Sequence, residues 1–253
     1  MADPLDLFDL SGCVACVTGA SSGLGRRAAS ALVAAGAEVI GVARREAELA
    51  QWQADMGAKA SFLAADITNR NLVSDIATAI STPFGPPDIV VHAAGLNTRE
   101  TADDVSDEGW DATLAVNLSA PFFLSQALVG PMKQKGWGRI VNFASLQTTR
   151  AFPGGIAYGT TKAGIAQMTR AMAEAWSPHG ITANAIGPGF FPTELTAPVF
   201  DDPERAERNA AQTCIGRNGR MEDIDGPLLF LCSAASNYVT GQILMVDGGY
   251  TAK

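Results

Sequence analysis

The stretch Val17-Thr18-Gly19-Ala20-Ser21-Ser22-Gly23-Leu24-Gly25 decides the fold. It joins an apolar run of strand length, Cys13–Thr18, to a segment of helical period, Leu24–Ala35. Glycines at such a strand-to-helix turn let the backbone approach a pyrophosphate, and the start of the helix offers unpaired N–H groups and a favourable dipole. The stretch therefore predicts a dinucleotide-binding turn before the first long helix.

Outward from this turn, apolar runs of strand length alternate with longer segments of helical period. Further strands are expected at Glu38–Ala43, Ala60–Ala64, Asp88–His92, Arg139–Phe143, Ile181–Ala185 and Gln242–Val246. Further helices are expected at Glu46–Met56, Asn71–Ile80, Asp111–Lys133, Tyr158–Trp176 and Glu222–Leu231. This pattern predicts an α/β protein, Rossmann-like, with a doubly wound parallel seven-stranded sheet flanked by helices and a ligand crevice beyond the carboxyl ends of the strands.

The chain of 253 residues is expected to form one domain, 1–253, with both dinucleotide-binding and catalytic parts. Its length is sufficient for one large core, and no repeat, low-complexity tract or Pro-rich linker marks a second unit. The one irregular segment, at about 188–220, is rich in Phe, Pro and charged residues. A long segment of this kind is typical of a functional lid, so we expect a substrate lid there.

The charge balance argues against nucleic acid and membrane partners. The formal net charge is −8, and no basic run is longer than Arg26-Arg27 or Arg44-Arg45, whereas phosphate backbones need clustered cations. No stretch approaches 18 uninterrupted apolar residues, and the N-terminus is acidic where a signal peptide is basic. A cytoplasmic protein acting on a small molecule is expected.

The cysteine and histidine residues argue against a disulfide framework or a metal site. Cys13 and Cys16 lie three residues apart on an expected strand, so their thiols point to opposite faces and pack as small hydrophobic groups. The only histidines, His92 and His179, stand far from any cysteine pair or carboxylate cluster in the sequence. We expect no bound metal.

Tyr158 and Lys162 stand four residues apart on an expected helix and therefore share one helical face. A phenol with a pKa of about 10 needs a favourable field to act as a base at neutral pH, and a nearby lysine cation supplies one. Ser145 follows the strand Arg139–Phe143, at the edge where the crevice is expected, and its hydroxyl can bind a substrate oxygen. These residue types predict proton transfer to or from a substrate alcohol or ketone.

With the spacing Thr-Gly-x-x-x-Gly-x-Gly in the first turn, these residues resemble the classical short-chain dehydrogenase/reductase family over essentially the whole chain. The resemblance implies that Tyr158 exchanges a proton with the substrate while hydride moves to or from a nicotinamide. It implies that Lys162 holds the nicotinamide ribose and lowers the pKa of the tyrosine, and that Ser145 fixes the substrate oxygen. Asn117 matches the helix asparagine that holds a water linking Lys162 to solvent.

The end of the second strand bears on the choice between NADP and NAD. An NAD site has a carboxylate there for the ribose 2′-hydroxyl, but this chain has Ala43 followed by Arg44 and Arg45. NADP is therefore favoured, with NAD possible; Arg44 and Ser22 are expected to bind the 2′-phosphate. The alternative is that both arginines only solvate the start of a helix.

Three further segments resemble cofactor-binding parts of the family. Asp66-Ile67 resembles the pair that brackets adenine, and Thr193 resembles the threonine that holds the nicotinamide carboxamide. The turn His92-Ala93-Ala94-Gly95 departs from the family's Asn-Asn-Ala-Gly by lacking both asparagines, which leaves open how it is braced. The full cofactor set is Gly19, Ser21, Ser22, Gly23, Leu24, Gly25, Arg44, Arg45, Asp66, Ile67, Ala94, Gly95, Pro188, Gly189 and Thr193.

The substrate side is expected to include Gln147, Asn97 and Phe191, because pocket walls in this fold follow Ser145, the fourth strand and the lid. Amide and arginine side chains there can bind hydroxyls or a carboxylate.

The segments Ala144-Ser145-Leu146-Gln147 and Gly216-Arg217-Asn218-Gly219-Arg220 resemble the sugar-acid branch of the family, which includes gluconate 5-dehydrogenases and 2-deoxygluconate 3-dehydrogenases. The resemblance implies an NADP(H)-dependent oxidoreductase that interconverts a secondary alcohol and a ketone, such as a sugar acid, a polyol or a keto-gluconate. It also implies a homotetramer. A 3-oxoacyl carrier-protein reductase or broad ketone reductase remains an alternative, as does a non-enzymatic NADP-sensing or scaffold protein.

Overall fold

A computed structural model describes residues 3–253 and contains one seven-stranded sheet. The strand order is β3-β2-β1-β4-β5-β6-β7, and every neighbouring pair is parallel. The strands are β1 Val14–Thr18, β2 Glu38–Ala43, β3 Ala60–Ala64, β4 Ile89–His92, β5 Gly138–Phe143, β6 Ile181–Pro188 and β7 Ile243–Val246. The predicted fold class, a single Rossmann-like domain, is confirmed.

Helices lie on both faces of this sheet. They are α1 Gly23–Ala34, α2 Glu46–Met56, α3 Val73–Ile80, α4 Asp107–Leu114, α5 Ala120–Lys135, α6 Ile156–Trp176, α7 Ala197–Phe200, α8 Pro203–Gln212 and α9 Asp225–Cys232. One predicted helix, Asp111–Lys133, is instead α4 and α5 joined by a π-helical turn at Ala115–Ser119. Such turns are frequent at functional sites, and this one contains Asn117.

The core has two parts because successive residues of a strand face opposite sides of the sheet. Ala15 and Val17 of β1 pack on one side with residues of α1, α2 and α9. Cys16 packs on the other side with residues of α3, α5 and α6. All four cysteines are free, and the thiols of Cys13 and Cys16 diverge as their spacing predicts.

The continuous helical span Asp107–Lys135 is long and apolar enough, by length and composition, to cross a membrane. The same test is passed by core helices of water-soluble proteins. Within its most apolar window 44% of the residues are buried inside the fold, and Leu124, Leu128 and Met132 belong to the core beside the sheet. We therefore describe the span as a core helix.

The crevice lies between β1 and β4, where the order of the strands in the sheet reverses. β1 pairs with β2 on one side and with β4 on the other, so Thr18 stands beside both Val42 and His92. A ligand site is expected at such a switch point. The segment 188–220 follows β6 at the same edge, and it contains α7 and α8, which the sequence did not predict.

Candidate active site

The glycine turn after β1 leaves no room for side chains. Gly19 has φ +73, and a Cβ on it would lie 2.7 Å from the Ala94 nitrogen. A Cβ on Gly25 would lie 2.3 Å from the Gly19 carbonyl oxygen. The N-cap residue of α1, Ser22, makes no side-chain capping bond, so the first N–H groups of α1 are free for another acceptor. These features fit the phosphates of a dinucleotide.

Arg45 lies directly over this turn. Its Nε and Nη2 atoms each donate to the Ser21 hydroxyl at 3.2 Å, and its Nη1 donates to Glu194 Oε1 at 3.1 Å. Ser22 Oγ donates to the other carboxylate oxygen of Glu194 at 3.1 Å. The sequence placed Arg45 and both serines at the cofactor, but no local signal pointed to Glu194, which lies 149 residues beyond Arg45.

Arg44 and Asp66 follow the neighbouring strands β2 and β3. The pKa of Asp66 lies below its usual value because its carboxylate accepts hydrogen bonds from the N–H and hydroxyl of Thr68, with a smaller contribution from the Arg44 charge. Ile67 is 9% exposed and packs in the core, so only a small part of its side chain is accessible to a ligand. The structure therefore brings Arg44 and Asp66 together at one end of the crevice.

The other expected cofactor residues surround the middle of the crevice. Ala94 donates its N–H to Thr18 Oγ1 at 3.3 Å, which places the turn after β4 against the turn after β1. Thr193 also approaches the glycine turn, since a Cβ on Gly23 would lie 3.3 Å from its Cβ and Cγ2. The backbone N–H of Gly189 donates to the Val246 carbonyl, which fixes the start of the segment 188–220 beside β7.

Tyr158 and Lys162 lie side by side on α6, as their spacing predicts. The Lys162 Nζ atom is 5.5 Å from the centre of the tyrosine ring and donates to the Phe143 carbonyl oxygen at 2.7 Å. Ser145 follows β5, and its hydroxyl is close enough to the Tyr158 phenol to lower the pKa of that phenol. The Ser145 Oγ also accepts from the Gln147 N–H at 3.1 Å. The three predicted catalytic side chains therefore meet at one edge of the sheet.

The protonation behaviour of this pair differs from the sequence-based expectation. Burial raises the pKa of Tyr158, opposed by the hydrogen bond from Ser145 and the charge of Arg99. Burial also lowers the pKa of Lys162 to about 8. Desolvation is the largest cause of the raised pKa of Tyr158, while the Lys162 ammonium donates to a backbone carbonyl. Tyr158 is thus a neutral phenol at neutral pH, which suits a proton donor.

Asn117 joins the loop after β4 to α6. Its Oδ1 accepts the Leu96 N–H and its Nδ2 donates to the Leu96 carbonyl, both at 2.8 Å. Nδ2 also donates to Thr161 Oγ1 at 3.1 Å, and that hydroxyl donates to the Tyr158 carbonyl at 2.7 Å. Asn117 is 1% exposed. Asn117 therefore holds the turn after β4, which lacks the family's asparagines. Thr161, which the sequence analysis missed, links Asn117 to the backbone of Tyr158 in α6.

Gln147 and Asn97, expected on the substrate side, lie near the start of α6 and in the loop after β4. The Gln147 Oε1 atom lies over α6, where a Cβ on Gly155 would stand 2.1 Å from it. The Asn97 Oδ1 atom accepts the N–H of Arg99 at 3.1 Å. Arg99 has φ +58, the one positive value outside glycine in residues 3–253, and it donates to the Leu195 carbonyl of the segment 188–220 at 2.6 Å. A strained backbone of this kind concentrates at ligand sites.

Phe191, expected on the substrate side, is almost fully enclosed by the fold. It is 2% exposed and packs inside the core against Gly219. Phe190, at the bend after β6, is more exposed than Phe191, and its ring stands 6.2 Å from that of Phe152 and 5.7 Å from that of Tyr250.

His92 is a structural residue of β4. Its Nε2 atom lies 2.7 Å from the Ser125 hydroxyl, and burial lowers its pKa to about 3. Within residues 3–253, no group of three or more His, Cys, Asp or Glu side chains is arranged to hold a metal ion.

Comparisons with known proteins agree with this geometry. The family described as Enoyl-(Acyl carrier protein) reductase matches residues 19–251. The gluconate 5-dehydrogenase of Gluconobacter oxydans is 40% identical over 249 residues, 97% of each chain. The 2-dehydro-3-deoxy-D-gluconate 5-dehydrogenase of Bacillus subtilis is 38% identical over 253 residues, 98% of each chain.

A crystal structure of a gluconate 5-dehydrogenase from Burkholderia cenocepacia, in complex with NADP and tartrate, matches with a TM-score of 0.94 at 34% identity. The match covers 99% of this chain and 100% of that one. Similarity of this extent includes the glycine turn and the pair Tyr158 and Lys162, so the chain belongs to the short-chain dehydrogenase/reductase family.

Proposed function

We propose that this chain is an NADP(H)-dependent oxidoreductase that interconverts a secondary alcohol and a ketone, with a sugar acid such as a keto-gluconate as substrate. The observation that carries the proposal is that Tyr158 lies beside Lys162 and near Ser145, at the edge of the sheet where the glycine turn follows β1. Nothing in a scaffold or sensor requires a buried lysine next to a half-buried phenol, because isolated buried cations are costly.

In the direction of reduction, NADPH held by the glycine turn would supply the hydride that the carbonyl carbon accepts. Tyr158 donates its phenolic proton to the carbonyl oxygen, and the raised pKa of the phenol keeps that proton available at neutral pH. The Ser145 hydroxyl donates to the same oxygen as negative charge develops on it. The Lys162 ammonium stabilises the tyrosinate that remains, and Asn117 keeps α6 in register with the loop after β4.

The preference for NADP is supported by the donors at the end of β2. Arg45, Ser21 and Ser22 form a cluster of hydrogen-bond donors over the turn, and Arg44 adds a second cation. A 2′-phosphate is bound well by a guanidinium, which offers paired donors. The position that holds a carboxylate in NAD sites is Ala43.

The substrate class is supported by the relatives and by three side chains near Tyr158. Arg99 is close enough to lower the pKa of the phenol by its charge, so it can pair with a substrate carboxylate near the reacting carbon. Asn97 and Gln147 supply amide groups for hydroxyls. An acidic carrier protein is disfavoured as a partner, since the chain itself has a net charge of −8.

The test is the oxidation of NADPH, followed by absorbance, with a panel of carbonyl compounds. We expect turnover with keto-gluconates and much slower turnover with acetoacetyl thioesters. Faster turnover of the thioesters would favour a 3-oxoacyl reductase. No NADPH oxidation with any ketone, despite bound NADPH, would favour a cofactor sensor.

We also propose that the protein is a cytoplasmic homotetramer. Its free cysteines suit a reducing compartment. Ile156, at the start of α6, is 51% exposed and Leu244, in the edge strand β7, is 38% exposed, so both offer apolar surface to a second copy. Light scattering should give a mass about four times 26.3 kDa; a monomer mass would contradict the assembly.

A further inference from the structure

Glu194, in the first turn of the lid, bridges two parts of the expected phosphate site. One carboxylate oxygen accepts from Ser22 Oγ and the other from Arg45 Nη1, each at 3.1 Å. Arg45 in turn holds the Ser21 hydroxyl through Nε and Nη2. The carboxylate therefore occupies donors that a bound anion would use.

The neighbouring contacts show that the lid itself rests on this turn. Thr193 packs against Gly23, where a Cβ would lie 3.3 Å from its methyl group. Thr193 also forms a reciprocal capping arrangement with Thr196, which fixes the backbone on which Glu194 stands. At the other side of the crevice, Arg99 bonds the Leu195 carbonyl. Glu194 thus ties the position of the lid to the phosphate turn.

The ion pair can be displaced by a stronger anion. The Glu194 side chain is 66% exposed and that of Arg45 is 41% exposed. An exposed ion pair of this kind favours its closed form over its open form by a factor of at most about five. A phosphate monoester carries a charge of about −1.5 to −2 and three acceptor oxygens, so it competes well for the same donors.

We propose that Glu194 is a cofactor-selecting residue whose carboxylate occupies the Ser22 and Arg45 donors in the free protein and yields them to the 2′-phosphate of NADP(H). This inference rests on the proposed use of NADP. Because NAD(H) has no 2′-phosphate, it can bind with the Glu194 bridge in place. Glu194 therefore weakens NADP(H) binding without weakening NAD(H) binding, which reduces the difference in affinity between the two cofactors. When the 2′-phosphate displaces the Glu194 carboxylate, the start of the lid loses its contact with the phosphate turn.

The direct test is Glu194→Gln, which keeps the shape of the side chain and removes its charge. The matched control is Glu48→Gln, because the Glu48 carboxylate lies 3.6 Å from Arg45 Nη1 and belongs to α2 rather than to the lid. Dissociation constants for NADPH and NADH are measured by fluorescence titration without substrate. We expect Glu194→Gln to tighten NADPH binding by about three- to fivefold, the scale of one exposed ion pair, with NADH nearly unchanged.

Equal tightening for both dinucleotides, or no tightening for NADPH, would overturn the proposal. An effect of the same size in Glu48→Gln would also overturn it, because removal of any negative charge near Arg45 would then tighten NADPH binding.

Competition by 2′-AMP and 5′-AMP gives a second readout: Glu194→Gln should strengthen 2′-AMP binding only. Equal strengthening of both nucleotides would contradict the role assigned to the 2′-phosphate. A wild-type protein that binds neither dinucleotide would instead overturn the proposed function.

Discussion

Asn117 illustrates how one buried amide can hold a site together. Replacement by Ala leaves the Leu96 N–H and carbonyl without their partner. A buried polar group left unpaired costs about 1–3 kcal/mol; because the two Leu96 groups are only partly buried, we expect the free energy of unfolding to fall by about 1–2 kcal/mol. Urea denaturation measures this change.

Thr113→Val is the matched control for Asn117→Ala. The Thr113 hydroxyl is buried in α4 with no hydrogen-bond partner in the described structure, so its removal costs little. Equal losses in the two variants would show that burial, rather than the bonds to Leu96, accounts for the effect.

His92 predicts a pH dependence of stability. Its pKa is about 3 in the folded protein, against 6.5 for an unperturbed histidine, because the folded site excludes water. Below pH 6.5 the unfolded chain takes up a proton that the folded chain does not, so stability falls as pH falls toward 3. The slope contributed by His92 approaches about 1.4 kcal/mol per pH unit.

The measurement for His92 is urea unfolding at a series of pH values below neutrality. His92→Asn introduces the amide found in the family's turn and removes the titrating group. We expect its stability to depend less steeply on pH than that of the wild type. Identical slopes would mean that His92 is not the source of the dependence.

For individual residues, the sequence identified the catalytic side chains but not all of the residues that contact the site. Tyr158, Lys162 and Ser145 were predictable because their spacing fixes a helical face and a strand end. The contact of Glu194 with Arg45 was not, since it depends on how the lid folds back. The burial of Phe191 was also missed, because sequence alone does not decide which of two adjacent phenylalanines faces the core.

Among the elements, the glycine turn and α1 form the unit on which cofactor binding depends. Gly25→Ala places a Cβ 2.3 Å from the Gly19 carbonyl, so the turn must distort. We expect a large loss of NADPH affinity in fluorescence titration. Gly130→Ala, in α5, is the control, because a Cβ there meets nothing within 4 Å. Retained NADPH affinity in Gly25→Ala would contradict the assignment of the turn.

The elements predicted best were those with apolar periodicity. All seven strands were predicted, because parallel strands buried on both faces are continuous apolar runs. α8 was missed because it has no buried residue and therefore no apolar stripe; only its N-terminal signals, Asp202 and Pro203, indicate a helix. The π-helical turn was missed because the apolar periodicity runs on from α4 into α5; the structure places Asn117, which bonds Leu96, within this turn.

For the whole molecule, the parallel sheet explains why residues so distant in sequence meet. The carboxyl ends of β1, β2, β4 and β5 lie at one edge, and the segments that follow them carry the glycine turn, Arg45, Asn97 and Ser145. α6 and the lid then complete the crevice with Tyr158 and Glu194.

The most direct test of the account is the variant Tyr158→Phe, assayed for keto-gluconate reduction and, separately, for NADPH binding. Loss of a general acid lowers turnover by about 10²- to 10⁴-fold, while NADPH affinity should stay near that of the wild type because the phenylalanine keeps the ring. A variant that retains most of its turnover would contradict the role of the phenol as proton donor.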